Sequence, residues 1–109
     1  MKQTTWSEEY FLKQLNNVFI NKIWVAQYPI KNNRGTYYYV DFYNPDLNIV
    51  IEHDEAYHRI KKIKKADKLR QEEITSILNC VFYRYDATSP YPRWVFINRI
   101  MNLHEVIKS

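Results

Sequence analysis

The chain has 109 residues, 46% hydrophobic and 26% charged, a composition that suits one globular domain over residues 1–109 and argues against disorder. One cysteine, Cys80, excludes an intrachain disulfide framework and a four-thiolate zinc site, and the single glycine, Gly35, excludes a phosphate-cradling loop or dinucleotide fingerprint, so no organic cofactor is expected. The net charge of +4 is unevenly spread, with five basic and seven acidic groups in residues 1–58 against eleven and five in residues 59–109, a segregation that suits an enzyme acting on a polyanion or a merely soluble surface.

Thr5 or Ser7 can cap a first helix, and Thr5-Trp6-Ser7-Glu8 has capping-box spacing. Phe11, Leu12, Leu15 and Val18 then share one side, which predicts a helix over 7–18. Residues 23–30 are β-branched and aromatic with Pro29 near their end, as in an edge strand. Asn32-Asn33-Arg34-Gly35 reads as a hairpin turn before a second strand over 36–43. Asn44-Pro45-Asp46 turns the chain again, and a strongly apolar third strand covers 47–53. Over 56–78 the period becomes helical. Ile60, Ile63, Ala66, Leu69, Ile74, Ile77 and Leu78 form an apolar stripe, with Lys61, Lys62, Lys64, Lys65 and Lys68 as a cationic outer face. Residues 80–85 form a fourth strand, and 92–107 a last helix with Trp94, Ile97, Ile100, Met101 and Val106 on its apolar side. The order α-β-β-β-α-β-α predicts an α/β fold, a small mixed β-sheet flanked by helices.

Three acids stand out. Asp41 interrupts Tyr39-Val40-Asp41-Phe42, and Glu52 ends the apolar run Leu47-Asn48-Ile49-Val50-Ile51. A carboxylate in such surroundings is costly to bury without a partner or a metal. Glu52 and Asp54 are two apart, so both face one side of an extended chain while His53 faces the other. If the second and third strands pair as a hairpin, Asp41 comes alongside Glu52, and the three acids form a hard oxygen set that favours Mg2+ or Mn2+ over zinc. The alternative is separate, solvated strand-end acids. His53 fits a core or opposite-face residue. His58 follows the acidic turn and can fold back to orient water or protonate a leaving oxygen. His104 reads as a surface residue. Glu8 and Glu9 suit the first turn of a helix. Asp67 and Arg70 can pair at i, i+3, or Arg70 can reach a phosphate; Arg84 is either a snorkelling edge residue or part of a site.

These pieces, in this order, resemble the small endonuclease-like domains related to the very short patch repair endonucleases, within the restriction-endonuclease-like PD-(D/E)XK nuclease superfamily. The resemblance rests on Glu8 with Phe11, Leu12 and Leu15; Gln27-Tyr28-Pro29-Ile30; Val40-Asp41-Phe42 with Pro45; Val50-Ile51-Glu52-His53-Asp54; His58; Asp67 to Arg70; and Arg84. It implies a restriction-endonuclease-like core with Asp41, Glu52 and Asp54 as metal-binding and catalytic carboxylates. His58 would assist hydrolysis, and Glu8 would support metal or water. Two positions depart from the pattern: Glu55 replaces the glycine after the third acid, and no lysine follows Glu52 at the superfamily's usual place. The structural zinc site and mismatch-wedging aromatics of the patch-repair enzymes have no counterpart, so mismatch specificity is not implied.

The resulting expectation is a Mg2+- or Mn2+-dependent DNA endonuclease that hydrolyses phosphodiesters, nicking as one copy or cutting both strands as a homodimer. Lys61, Lys62, Lys64, Lys65 and Lys68 would bind phosphates without reading sequence, with Arg70 and Arg84 as further nucleic-acid contacts. The alternatives are a non-catalytic nucleic-acid-binding module that retains the fold, an RNA-directed nuclease, and a purely structural interaction domain. No apolar run is long enough to span a bilayer and the N-terminus lacks the apolar stretch of a signal peptide, so a cytoplasmic protein without membrane association is expected.

Overall fold

The computed structural model describes residues 6–19, 23–54, 64–87 and 90–104. Helix α1 (Trp6–Val18) is followed by strands β1 (Val25–Lys31), β2 (Tyr37–Asn44) and β3 (Ile49–Asp54), helix α2 (Lys64–Leu78), strand β4 (Val81–Asp86) and helix α3 (Arg93–Leu103). The four strands form one sheet in the order β1-β2-β3-β4. β1 pairs antiparallel with β2, β2 antiparallel with β3, and β3 parallel with β4. This is the expected α-β-β-β-α-β-α arrangement, a mixed sheet flanked by helices and matching a restriction-endonuclease-like core. Pro29 does sit on an edge strand, where its missing N–H breaks no ladder.

Asparagines shape the turns. Asn32 Oδ1 accepts from the backbone N–H groups of Arg34 and Thr36, and Gly35 takes a φ of 80° in the same turn. Asn44 Oδ1 accepts from Leu47 N, so Leu47 and Asn48 belong to the turn and β3 begins at Ile49, two residues later than the apolar run suggests. Asn48, with a φ of 54°, accepts from the Tyr43 hydroxyl and donates to the carbonyls of Leu78 and Asn79. It thereby ties the β2–β3 turn to the end of α2, whose closing residue Asn79 is itself left-handed, φ 52°.

The sheet separates two apolar clusters. On one face Phe11 and Leu15 of α1 and Ile97, Ile100 and Met101 of α3 pack against Phe42, Ile49, Ile51 and Tyr85. On the other, Ile74 of α2 packs with Ile30, Val40, Tyr43, Val50 and Cys80. The predicted stripe of α2 is corrected here. Ile74 is fully buried and Leu78 half-buried, but Ala66 is exposed, Leu69 is 57% exposed and Ile77 38% exposed. The sheet face beneath α2 adds charged and tyrosine side chains to this apolar cluster, so its docking needs fewer apolar positions than the periodicity implied. Residues 55–63, which include the first third of the helix predicted over 56–78, lie outside the described residues.

The strand pairing has one discontinuity that matters for function. β1–β2 pairing runs from Val25↔Tyr43 to Lys31↔Tyr37, and β3–β4 pairing from Ile49↔Val81 to Asp54↔Asp86. Between them, β2 and β3 pair only from Asn44↔Ile49 to Phe42↔Ile51. Beyond that point the sheet forks, and the residues at the fork are Asp41 and Glu52.

Asn48 joins three segments through three side-chain hydrogen bonds. Asn48→Ala should therefore lower unfolding stability by about 2 kcal/mol, from lost bonds and a left-handed alanine. Urea denaturation should show a lower midpoint with an unchanged slope.

Candidate functional site

Continuing the β2–β3 register past Phe42↔Ile51 sets Asp41 opposite Glu52, as the hairpin expectation required. With the ladder open there, side chains supply the missing hydrogen bonds. The Asp41 backbone N–H donates to Glu52 Oε2 at 3.0 Å, and the His53 backbone N–H donates to Asp41 Oδ2 at 2.8 Å. Gln27 Nε2 donates to Asp41 Oδ1 at 3.1 Å. From α2, Arg70 Nη1 donates to Glu52 Oε1 at 2.7 Å while its Nη2 reaches the Tyr39 carbonyl at 2.8 Å. Every oxygen of the two carboxylates thus accepts at least one donor, and both residues are buried, Asp41 at 4% exposure and Glu52 at 7%.

Two adjacent carboxylates out of water oppose each other's ionisation. Burial pushes the Glu52 carboxyl up to about 7, the Asp41 charge adds to the rise, and the Arg70 guanidinium works against it. Two buried carboxylates are hard oxygen donors of the kind a divalent cation takes, and Arg70 offsets part of their charge from one side. Beside them lies Gln27 Oε1, buried and without a hydrogen-bond partner among the described residues.

The remaining expected residues divide into three groups. Asp54 is engaged elsewhere: its Oδ2 accepts from Arg84 Nη1 at 3.2 Å, and Arg84 also holds Asp67 at 2.6 Å and Gln71 at 2.9 Å. Among the described residues no three acids, histidines or cysteines form a metal cluster, so the structure pairs Asp41 with Glu52 and does not bring Asp54 into their group. Asp67 and Arg70 do not pair with each other. Each crosses to the sheet: Arg70 supplies the counter-charge of Glu52, and Asp67 pairs with Arg84, the counter-charge of Asp54. Glu8 is 2% exposed on α1, while Glu9 is exposed; Glu8 lies one turn before Phe11, whose ring meets the His53 ring edge-on at 5.5 Å. His53 occupies the α1 face among aromatics, as its alternation with Glu52 suggested. His104, read as a surface residue, is half-buried, and its Nε2 lies 2.8 Å from the Tyr83 hydroxyl. Lys65 and Lys68 are exposed on α2. The side chain of Lys64, and His58, Lys61 and Lys62, lie outside the described residues.

Three contributors had no role assigned from sequence: Gln27, Gln71 and the Tyr39 carbonyl. Gln27 carried a signal, as the first residue of Gln27-Tyr28-Pro29-Ile30; a backbone carbonyl carries none.

The sign of the Glu52 perturbation makes a pH prediction. Its native pKa lies above the ordinary 4.5 of the unfolded chain, so between those values the native state holds the extra proton. Glu52's contribution to stability is therefore fullest below pH 4.5 and lost as the pH rises to 7, by up to about 3 kcal/mol. Glu52→Gln should remove that slope from a urea-denaturation series across the same pH range.

Comparisons with known proteins agree with this fold. A comparison with curated proteins found no match. Among solved structures, the 5-hydroxymethylcytosine-specific restriction enzyme AbaSI superposes with a TM-score of 0.58 at 21% identity, a likeness of fold. The match covers 99% of this chain and 42% of that one, so the chain spans less than half of that enzyme's length. The superfamily expected from the motifs is the one found, a PD-(D/E)XK restriction-endonuclease-like domain. Residues 7–109 match the model of the N-terminal region of PvuRts1I-like restriction endonucleases, and the chain belongs to that family.

Proposed function

We propose that this chain is a metal-dependent DNA endonuclease that hydrolyses phosphodiester bonds at the fork between β2 and β3. The observation that carries the reading is the buried Asp41–Glu52 pair, held by directed donors at an open end of the sheet. Buried like charges without a binding role would be a standing cost to the fold. Bound Mg2+ or Mn2+ would supply positive charge for generating the nucleophile and stabilising the phosphorane-like transition state. Asp41 and Glu52 would hold the cation, with Asp54 as a third carboxylate if Arg84 released it. Glu8 supports the site from α1, and His58 transfers a proton to the leaving oxygen.

On this reading Arg70 and Arg84 position carboxylates, and phosphate contacts fall to the lysines, led by exposed Lys65 and Lys68. Arg99 and Tyr91, which line a cavity of about 270 Å³ beside Arg84, add a cationic and aromatic surface at the same end of β4. One copy would nick a single strand; cutting both would take a second copy. AbaSI, a restriction enzyme, lends the restriction context by analogy of fold and family.

One observation favours a second reading, a DNA-binding module without turnover. Arg70 on Glu52 and Arg84 on Asp54 already provide cationic partners to two of the three acids. Incubation of supercoiled plasmid with Mg2+, Mn2+ or chelator separates the two. The nuclease reading requires metal-dependent nicking that falls at least about 100-fold in Asp41→Ala, the scale set by removing a catalytic charge-stabilising group. Duplex binding with no cutting under either metal would establish the module instead. In either case, replacing Lys65 and Lys68 together by alanine should reduce the slope of log affinity against log salt by about 2 if each meets a phosphate.

A further inference from the structure

Gln27 lies in the middle of β1, yet its φ is 52°, in the left-handed region where any residue with a side chain is strained. No turn requires this. The β1–β2 register keeps step on both sides of it, with Ala26↔Phe42 before and Tyr28↔Val40 after, and so sets Gln27 opposite Asp41. What changes at that pair is the facing of the side chains. Ala26 packs with the cluster under α1 and α3, but Tyr28 packs with the cluster under α2; across the ladder Phe42 belongs to the first and Val40 to the second. Residues two apart on a regular strand share a face. Both strands therefore change phase together at Gln27 and Asp41. β3 and β4 do not: Ile49 and Ile51 stay on one face with Val50 on the other, and Tyr83 and Tyr85 stay opposite Phe82.

The phase change delivers Gln27 Nε2 to Asp41 Oδ1, 3.1 Å away, while Oε1 is left buried with no hydrogen-bond partner among the described residues. A strained backbone and an unsatisfied buried oxygen on one residue are two separate costs. One amide–carboxylate hydrogen bond does not offset both as a contribution to folding, and such combinations gather at functional sites.

We propose that Gln27 is a positioning residue of the site. Its left-handed backbone and Nε2 fix the Asp41 carboxylate with Oδ2 against the His53 amide, and its Oε1 remains as a neutral oxygen acceptor beside the carboxylate pair. An amide suits this place because a cationic side chain would neutralise Asp41 and compete with a metal, whereas a third carboxylate would add to the repulsion. The chemistry of this role rests on the nuclease reading; its geometry does not.

Two variants separate strain from orientation. Gln27→Gly accepts the left-handed φ freely but has no amide, and Gln27→Leu keeps the bulk without either polar atom. For each, amide exchange at His53 by NMR, calorimetric Mn2+ binding without DNA, thermal unfolding, and kcat and KM for plasmid nicking are measured. In both variants His53 should exchange about tenfold faster, as its hydrogen bond to Asp41 loosens. Mn2+ affinity should fall about tenfold, and kcat should fall with KM unchanged. Gln27→Gly should nonetheless unfold at no lower temperature than the wild type. Unchanged His53 exchange in both variants would overturn the proposal, as would Gln27→Gly losing stability while keeping its Mn2+ affinity. If the wild type neither binds Mn2+ nor cuts DNA, the nuclease reading fails, and His53 exchange in the variants still decides the positioning role.

Discussion

At the fork in the sheet, two strands that have been hydrogen-bonded to each other part, and each leaves backbone donors without a ladder partner. The protein meets that deficit with carboxylates. The Asp41 amide turns to Glu52, and the His53 amide turns to Asp41, so the same interactions that end the β2–β3 ladder also hold two negative charges nearly out of water. Their repulsion is then the constraint to which the neighbouring elements respond: Gln27 donates from β1, and Arg70 donates from α2. Removing the donors would leave the charges uncompensated, and removing the charges would leave the donors unpaired. Site and strand geometry are therefore one arrangement.

The two carboxylate-bearing positions on the α2 face of β3 each recruit an arginine, from different elements. Arg70 comes from the helix and Arg84 from the neighbouring strand, where register places it beside Glu52. Arg84 in turn is clamped between Asp54, Asp67 and Gln71. The result is a charged layer between sheet and helix in which acidic and basic groups alternate.

Much of this was legible in the residues. The order of the elements followed from the change of hydrophobic period near residue 56 and from turn residues at Asn32–Gly35 and Asn44–Asp46. The pairing of Asp41 with Glu52 followed from their spacing about a hairpin, whereas Glu8 was set apart from Glu9 only by the family resemblance. The misreadings have a common cause. The stripe on α2 assumed that a helix docks by apolar contact, and so counted Leu69 and Ile77 as buried. The Asp67–Arg70 pair assumed that opposite charges on one helix meet each other, when stronger claims on both came from the sheet. Partners supplied across the fold, such as the Tyr39 carbonyl for Arg70, leave no mark in local sequence.

The attachment of α2 has a further consequence. Its described apolar anchoring consists of Ile74, fully buried, and Leu78, half-buried, whereas Arg70, Asp67, Gln71 and Glu73 all bond to groups on the sheet. The opposite face, where Phe11 of α1 stacks on Phe42 of β2 and Phe96 of α3 meets Tyr85 edge-on, holds by contacts that added salt does not weaken. One side of the sheet is thus fastened by dispersion and water exclusion, and the other largely by charge, which mobile ions screen. The helix bearing Lys65 and Lys68 is the one whose grip on the body of the protein shares its ionic dependence with any grip those lysines have on a polyanion. Ionic strength acts on both through the same physics.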